Sequence, residues 1–95
     1  MNINEQPLVS VVTPFFNTEK YLEQCIVSVL SQTYDNFEYI LVNNKSSDGS
    51  EKIARKYRDI DKRIKFFNNE NFLSQVNNYN NSLKKISKKS KYSYY

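Results

Sequence analysis

"EYILVNN", residues 38–44, is a nearly unbroken apolar run that ends in two asparagines. A strand that helices cover on both faces typically has such a continuous apolar sequence, whereas a strand with one face in water alternates apolar and polar residues. We therefore predict a buried strand over Glu38–Val42. Serines, an aspartate and the only glycine of the chain follow at once in "KSSDGS", residues 45–50. The strand should thus open into a turn that is rich in hydrogen-bonding groups.

An earlier apolar segment, "LVSVVTPFF" at residues 8–16, predicts a first strand. We expect this strand to end near Thr13, because Pro14 has no N–H to donate to a sheet. A helix should lie between the two strands, with Asn17 or Thr18 as its cap. Its apolar residues recur at helical spacing: Leu22, Cys25, Ile26, Val29 and Leu30. A strand, a helix and a strand with short connections predict a right-handed βαβ unit.

The alternation of helix and strand continues after residue 50. Asp48 and Glu51 have the spacing of a capping box. The apolar face of a second helix should follow at Ile53, Ala54 and Tyr57. We expect a third strand around residues 64–67 and a fourth in "YSYY", residues 92–95. A third helix between them is predicted by apolar residues at helical spacing: Leu73, Val76, Tyr79, Leu83 and Ile86.

The length and composition fit one small unit of this kind. The chain has 95 residues, a formal charge of +4, one cysteine and no histidine. We predict a three-layer α/β/α fold, with residues 1–7 as an N-terminal tail and residues 8–95 as the folded unit. A single cysteine excludes a disulfide within the chain, and we expect Cys25 to be a buried structural thiol.

The lysines of residues 84–91 carry much of the positive charge. A nucleic-acid surface can have this composition, but blocks of lysine more often face water, and we expect no nucleic-acid partner. Met1 is followed by polar residues, and no run of about 18 apolar residues occurs, the length that a membrane-spanning helix needs. We therefore expect a cytoplasmic protein.

A ligand site is expected where the first two strands end. In an open α/β sheet, ligands bind beyond the carboxyl ends of the strands, so residues 13–17 and 43–50 should line one pocket. With Gly49 as the only glycine, the chain lacks both the Gly-x-Gly-x-x-Gly turn of dinucleotide-binding folds and the P-loop. The residue types in these two segments must therefore identify the ligand.

Three ordered motifs occur between residues 9 and 50. They are Pro14, Phe16 and Asn17; then Ser28, Gln32, Thr33 and Tyr34; then Asn43, Asn44, Lys45, Ser46, Asp48, Gly49 and Ser50. This order resembles the opening of family 2 glycosyltransferases with the GT-A fold, a Rossmann-like nucleotide-diphospho-sugar transferase fold. The resemblance continues more weakly through "RIKFFNNENF" and "VNNYNNSLKKI", where the family's usual glycine and arginine are absent.

The resemblance implies a pocket for the nucleotide of a sugar donor, with a UDP-sugar expected. Phe16 stands where the family usually has tyrosine and keeps an aromatic face for the base. Asn43 or Asn44 stands where the family has acidic residues, and an amide can both accept from and donate to a base edge. The nucleotide-binding residues expected from the resemblance are Thr13, Pro14, Phe15, Phe16, Asn17, Asn43, Asn44 and Ser46.

The resemblance also implies what the full-length enzyme needs. A divalent cation, Mn²⁺ or Mg²⁺, is expected there on an Asp-x-Asp motif, and we expect the chain to be truncated before this motif. Accordingly, we expect this chain to bind no metal, to contain no catalytic base and to be inactive alone. The parent protein is expected to be an inverting transferase of cell-surface polysaccharide or glycoconjugate synthesis. Its acceptor is expected to be a glycan or a lipid-linked glycan. We expect the protein to be peripherally bound at the inner face of the plasma membrane.

A second interpretation of the sequence assigns the chain to another functional class, that of non-catalytic proteins. The absence of the acidic pair, the glycine and the arginine is also typical of a non-catalytic remnant. Such a remnant would serve as a nucleotide-binding or self-association module, because an exposed sheet edge tends to pair with another chain.

Overall fold

The computed structural model describes residues 7–32, 34–85 and 91–94. Strands and helices alternate in it: β1 (Val9–Phe15), α1 (Glu19–Leu30), β2 (Phe37–Asn43), α2 (Ser50–Ile60), β3 (Ile64–Asn68), α3 (Gln75–Leu83) and β4 (Lys91–Tyr94). The strands form one parallel sheet in the order β3-β2-β1-β4. The predicted α/β fold is therefore confirmed. Residues 1–6, Thr33, Ile86 and Tyr95 lie outside the described residues, as do the side chains of Val76 and Tyr79.

The core has two parts, one on each face of the sheet. Every residue of β2 is buried, as its apolar run predicts. On one face, α1 and α2 pack through residues such as Leu22, Ile26 and Ala54 against Tyr39 and Leu41. On the other face, Val12, Ile40 and Val42 form a smaller cluster. Helix α3 contacts β1 and makes the third layer over this cluster.

Strand β1 runs through Pro14 to Phe15, so the predicted end near Thr13 is wrong. The carbonyl of Phe15 faces β2 and accepts a hydrogen bond from Asn44 N at 2.9 Å. Successive residues of a strand direct their backbone groups to opposite neighbours, so Pro14 faces β4. Within the described residues, β4 pairs with β1 only as far as Val12. The missing N–H of Pro14 therefore interrupts no hydrogen bond there.

The helix starts also differ from the prediction. Thr18 is the N-cap residue of α1, but its side chain makes no capping bond. Instead, Asp48 Oδ2 accepts from Glu19 N at 3.1 Å, and Asp48 Oδ1 accepts from Ser50 N at 2.9 Å. Glu51 does not complete a capping box, because its carboxylate is taken up by Arg55 and Asn43. One aspartate thus satisfies backbone donors at the starts of both helices.

Two further properties bear on the expectations from sequence. Cys25 is half-buried rather than buried, with its Sγ 3.6 Å from the hydroxyl oxygen of Tyr39. Within the described residues, none of the helices has the length and apolar character needed to cross a bilayer.

Candidate functional site

The loops that follow β1 and β2 are hydrogen-bonded to each other. Asn17 N donates to Ser46 Oγ at 3.0 Å, and Ser47 N donates to Asn17 Oδ1 at 2.8 Å. Asn17 has a φ of 49°, the left-handed region that asparagine adopts more readily than most residues. The two segments that the sequence predicts to meet are therefore in contact.

Glu19 and Gly49 strengthen this connection. Gly49 N donates to Glu19 Oε1 at 3.1 Å, and a Cβ at Gly49 would lie only 2.7 Å from Glu19 Oε2. Burial acts to raise the pKa of Asp48, but hydrogen bonds from Ser50 and from the Glu19 backbone outweigh it and lower that pKa. Asp48 therefore stays ionised at neutral pH, as its role at two helix starts requires.

A cavity of about 300 Å³ opens at this edge of the sheet. Its lining residues are Pro14, Phe15, Phe16, Thr18, Asn44, Phe72, Leu73 and Asn78. Phe16 is 44% exposed, and its ring centroid lies 5.0 Å from that of Phe72 in an edge-to-face arrangement. Apolar walls with a few polar groups are typical of small-molecule pockets, which start at about this volume. The edge of the sheet thus carries a cavity suited to a flat aromatic ligand.

Asn43 is not among the residues that line this cavity. It is only 2% exposed, and its amide donates to Asn68 Oδ1 at 2.9 Å and to Glu51 Oε1 at 3.3 Å. Its Oδ1 accepts from Ser46 N at 3.0 Å. The side chain thereby fixes the start of the loop that crosses to Asn17.

Asn44 does line the cavity, and its amide is engaged with the segment before α3. Asn44 Nδ2 donates to Leu73 O at 2.8 Å, and Leu73 N donates to Asn44 Oδ1 at 2.9 Å. Asn69 Nδ2 adds a second donor to Asn44 Oδ1, at 3.0 Å. One N–H of Asn44 is not used by any of these bonds.

The amides continue as a network beneath the cavity. Asn69 Nδ2 also donates to Asn78 Oδ1 at 2.8 Å, and Asn81 Nδ2 donates to Asn69 Oδ1 at 2.9 Å. These bonds join α3 to the segment after β3. The abundance of asparagine between residues 68 and 81 was the available signal, but no spacing rule predicts which amides pair.

The predicted site residues separate into three groups. Pro14, Phe15, Phe16 and Asn44 line the cavity. Asn17, Ser46 and Asn43 form the loop connection beside it. Thr13 lies elsewhere: its Oγ1 is 3.0 Å from the Tyr39 hydroxyl oxygen, and it lines a separate cavity under α1 of about 250 Å³.

Sequence reasoning missed four residues of the cavity: Thr18, Phe72, Leu73 and Asn78. Thr18 is notable because its Oγ1 is buried and has no hydrogen-bond partner among the described residues. A buried hydroxyl without a partner is unfavourable, so a ligand group that reaches Thr18 would remove this penalty.

The described residues contain no group of three or more histidine, cysteine, aspartate or glutamate side chains that could hold a metal ion. Glu51, which accepts a hydrogen bond from Asn43, is ion-paired with Arg55 at 2.8 Å, and the hydrogen bond from Arg55 lowers the pKa of Glu51. Glu51 is therefore a structural carboxylate in this arrangement, and the donor set does not fit a cation.

Comparison with known proteins gives a consistent result. The model of the family "Glycosyl transferase family 2" matches residues 10–92. The chain is 44% identical over 64 residues to the glycosyltransferase GlyG of Streptococcus pneumoniae, covering 67% of this chain and 21% of GlyG. It is 38% identical over 63 residues to the glycosyltransferase GlyA of the same species, covering 66% of this chain and 9% of GlyA. The chain thus spans a minor part of these curated relatives.

Solved structures show the same fold. The mannosyltransferase PcManGT from Pyrobaculum calidifontis, in complex with GDP-Man and Mn²⁺, aligns with a TM-score of 0.78 at 18% identity, over 88% of this chain and 26% of PcManGT. Residues 1–349 of S. aureus TarS in complex with UDP align with a TM-score of 0.75 at 24% identity, over 94% of this chain and 27% of that portion of TarS. The chain has the GT-A fold and belongs to glycosyl transferase family 2.

Proposed function

We propose that this chain forms the donor-nucleotide subsite of a family 2 glycosyltransferase that transfers sugar from a nucleotide-sugar donor to an acceptor. The observation that carries the proposal is the Phe16 cavity, which lies at the carboxyl edge of the parallel sheet between the loops after β1 and β2. Ligands of open α/β sheets bind at this edge. Family membership supports the same reaction class.

The nucleobase is proposed to pack on Phe16, since base–aromatic stacking contributes about 1–3 kcal/mol per base. The polar groups available for its edge or for the ribose include the Thr18 hydroxyl, the unused N–H of Asn44 and the amide nitrogen of Asn78. Asn43 is assigned a supporting role, because its amide is already bonded to Asn68 and Glu51. Asn17 and Ser46 shape the rim through their mutual hydrogen bond.

We propose UDP-sugar as the donor, with inverting transfer. The titles of the two structural relatives name different nucleotides, UDP for TarS and GDP-Man for PcManGT, so the base preference is a question for direct measurement.

A divalent cation, Mn²⁺ or Mg²⁺, is proposed for the full-length enzyme, where it would neutralise the diphosphate leaving group. PcManGT is described with Mn²⁺. Because the described residues offer no matching donor set, we assign the ion no ligand in this chain. The 95 residues are accordingly expected to bind nucleotide without transferring sugar. The acceptor is proposed to be a glycan or lipid-linked glycan of cell-surface polysaccharide synthesis, with transfer at the cytoplasmic face of the plasma membrane.

Self-association is the second candidate, because β3 is an edge strand among the described strands. Unpaired edges attract other chains, but cationic side chains protect against this. Cationic side chains lie on both aromatic rings of β3: Arg55 and Arg58 are 5.1 and 5.9 Å from the ring centre of Phe66, and Lys85 is 5.1 Å from that of Phe67. These cations would act against pairing at this edge. Sedimentation velocity at rising concentration tests this candidate: a dimer that forms at micromolar chain supports it, and a monomer throughout rejects it.

Titration of the ¹⁵N-labelled chain with UDP, GDP and CMP tests the nucleotide proposal. UDP should bind most tightly, and Phe16→Ala should weaken it at least about tenfold, the loss expected when one stacked ring is removed. Ile60→Ala is the matched control, because Ile60 is 66% exposed at the far end of α2. Equal affinities of Phe16→Ala and the unaltered chain would refute the stacking role.

A further inference from the structure

Phe72 is a large apolar side chain that the fold leaves in water. It is 58% exposed, and its described ring contact is the edge-to-face pair with Phe16 at 5.0 Å. Neither ring belongs to the two core clusters. Both rings line the same cavity and touch each other edge to face, so Phe72 forms a second aromatic wall that adjoins the first at a steep angle.

The backbone beside Phe72 is held in place from β2. Asn44 is 3% exposed and directly follows that strand. It bonds both backbone groups of Leu73, through Asn44 Nδ2 to Leu73 O at 2.8 Å and Leu73 N to Asn44 Oδ1 at 2.9 Å. Two hydrogen bonds to one residue fix its orientation as well as its position, so the neighbouring Phe72 is held in contact with Phe16.

Further amide hydrogen bonds hold Asn44, and with it the segment around Phe72, in place. Asn69 and Asn78 support Asn44 from below, through Asn69 Nδ2 to Asn44 Oδ1 at 3.0 Å and to Asn78 Oδ1 at 2.8 Å. Amides that are joined to one another by several hydrogen bonds hold each other in place. Rigid placement of an exposed aromatic ring has little use for folding, but it prepares a wall for a planar ligand.

We propose that Phe72 is a second aromatic contact to the nucleobase of the donor, and that Asn44 is the positioning residue that holds Phe72 beside Phe16 at the cavity. This inference rests on the proposed function. The ligand class is a nucleoside diphosphate, whose base packs against one ring while the other ring meets its edge or face. Asn44 thus acts on the base chiefly through Phe72.

The binding experiment compares Phe72→Leu with Phe72→Tyr. Leucine keeps an apolar side chain but removes the ring, so the UDP affinity of Phe72→Leu should fall about tenfold. Phe72→Tyr keeps a ring and should bind UDP as tightly as the unaltered chain. Intermolecular NOEs from uracil H5 and H6 to the ring protons of Phe72 should be present in the unaltered chain. Ile60→Leu, at a site 66% exposed and outside the cavity, is the control and should bind UDP normally.

The positioning experiment needs no nucleotide. Asn44→Asp keeps the size of the side chain and can accept from Leu73 N, but it cannot donate to Leu73 O. NOEs between the Phe16 and Phe72 rings should therefore weaken in this variant while the fold, judged from the remaining spectrum, persists. Ring NOEs of unchanged intensity would overturn the role of Asn44.

The outcomes separate this inference from the proposed function. If UDP binds and Phe16→Ala weakens it, but Phe72→Leu does not, then the base contact of Phe72 is wrong and the proposed function stands. If the unaltered chain binds no nucleotide at millimolar concentration, both the proposed function and the base contact are overturned.

Discussion

Glu19 and Asp48 each accept a hydrogen bond from the backbone at the start of the other's helix. Asp48 Oδ2 accepts from Glu19 N, and Glu19 Oε1 accepts from Gly49 N, both at 3.1 Å. Helix starts leave N–H groups without partners in the helix, and here two such starts supply each other's acceptors. The exchange fixes α1 against α2 at the edge of the sheet where the cavity opens.

Removal of Asp48 should therefore loosen two helices at once. In Asp48→Ala, Glu19 N and Ser50 N both lose their acceptor, and loss of helix-capping acceptors is reliably destabilising. We expect the midpoint of thermal unfolding, followed by circular dichroism, to fall by several degrees. Asp59→Ala is the matched control: Asp59 is 70% exposed and paired only with the adjacent Arg58 in the described structure, so the midpoint should hardly change. Equal midpoints for the two variants would contradict the shared cap.

Acid should weaken the fold through Asp61. The hydrogen bond from Arg63, which outweighs burial, holds the pKa of Asp61 below its ordinary value. In the pH interval below that ordinary value, near pH 4, the unfolded chain binds more protons than the folded one, so stability rises with pH there and is lost as pH falls through the folded pKa. Urea unfolding at a series of pH values should show this loss below about pH 4. Asp61→Asn should reduce the slope of the free energy of unfolding against pH in this interval. An unchanged slope would exclude Asp61 as a source of the acid sensitivity.

Lys45 occupies a backbone conformation that suits glycine. Its φ is 60°, and the left-handed region costs a residue with a Cβ about 1 kcal/mol relative to glycine. Lys45→Gly relieves this strain but loses the bond from Lys45 Nζ to Glu70 O at 3.3 Å. Lys45→Ala loses the same bond and keeps the strain, so it is the matched reference. The free energy of unfolding of Lys45→Gly should exceed that of Lys45→Ala by about 1 kcal/mol. If Lys45→Gly is no more stable than Lys45→Ala, the backbone of Lys45 is not strained.

An aspartate at position 43 should destabilise the folded chain. The Asn43 amide donates to Glu51 Oε1 at 3.3 Å, whereas Asn43→Asp would place a buried carboxylate next to an acceptor that carries the same charge. We expect the free energy of unfolding to fall by at least about 1 kcal/mol at neutral pH, the usual loss when a buried hydrogen bond is replaced by an unsatisfied group. Adding Glu51→Gln should recover part of the loss, because glutamine can donate. No recovery in the double variant would show that Glu51 is not the opposing group.

The repeated alternation of strand and helix could be predicted from sequence because each element carries its own signal. The unbroken apolar run of β2 and the helical spacing of Leu22, Ile26 and Val29 both depend on burial, and these residues are buried. The extension of β1 through Pro14 could not be predicted, because it depends on which neighbouring strand each residue of β1 faces. That is a property of the assembled sheet and not of the segment.

The site was predicted less completely for a related reason. The carboxyl-edge rule brought Phe16 and Asn44 to one cavity. Thr13 lies on the same face of β1 as Phe15, which does line the cavity, but Thr13 lines the smaller cavity under α1, and the sequence does not state which residues of a face reach a cavity. Phe72 lies 56 positions after Phe16 in the numbering, and its approach depends on the Asn44–Leu73 hydrogen bonds, which no local pattern indicates.

The most direct test of the central claim locates UDP on the chain. The alternatives to the Phe16 cavity include the smaller one under α1 that includes Thr13 and a groove of about 750 Å³ between α1 and α2 that includes Glu23 and Tyr57. At saturating UDP, the largest ¹⁵N chemical-shift changes are predicted at Phe16, Thr18 and Asn44, with small changes at Glu23 and Tyr57. Changes concentrated in the groove between α1 and α2, or none at all, would contradict a donor-nucleotide site at the edge of the sheet.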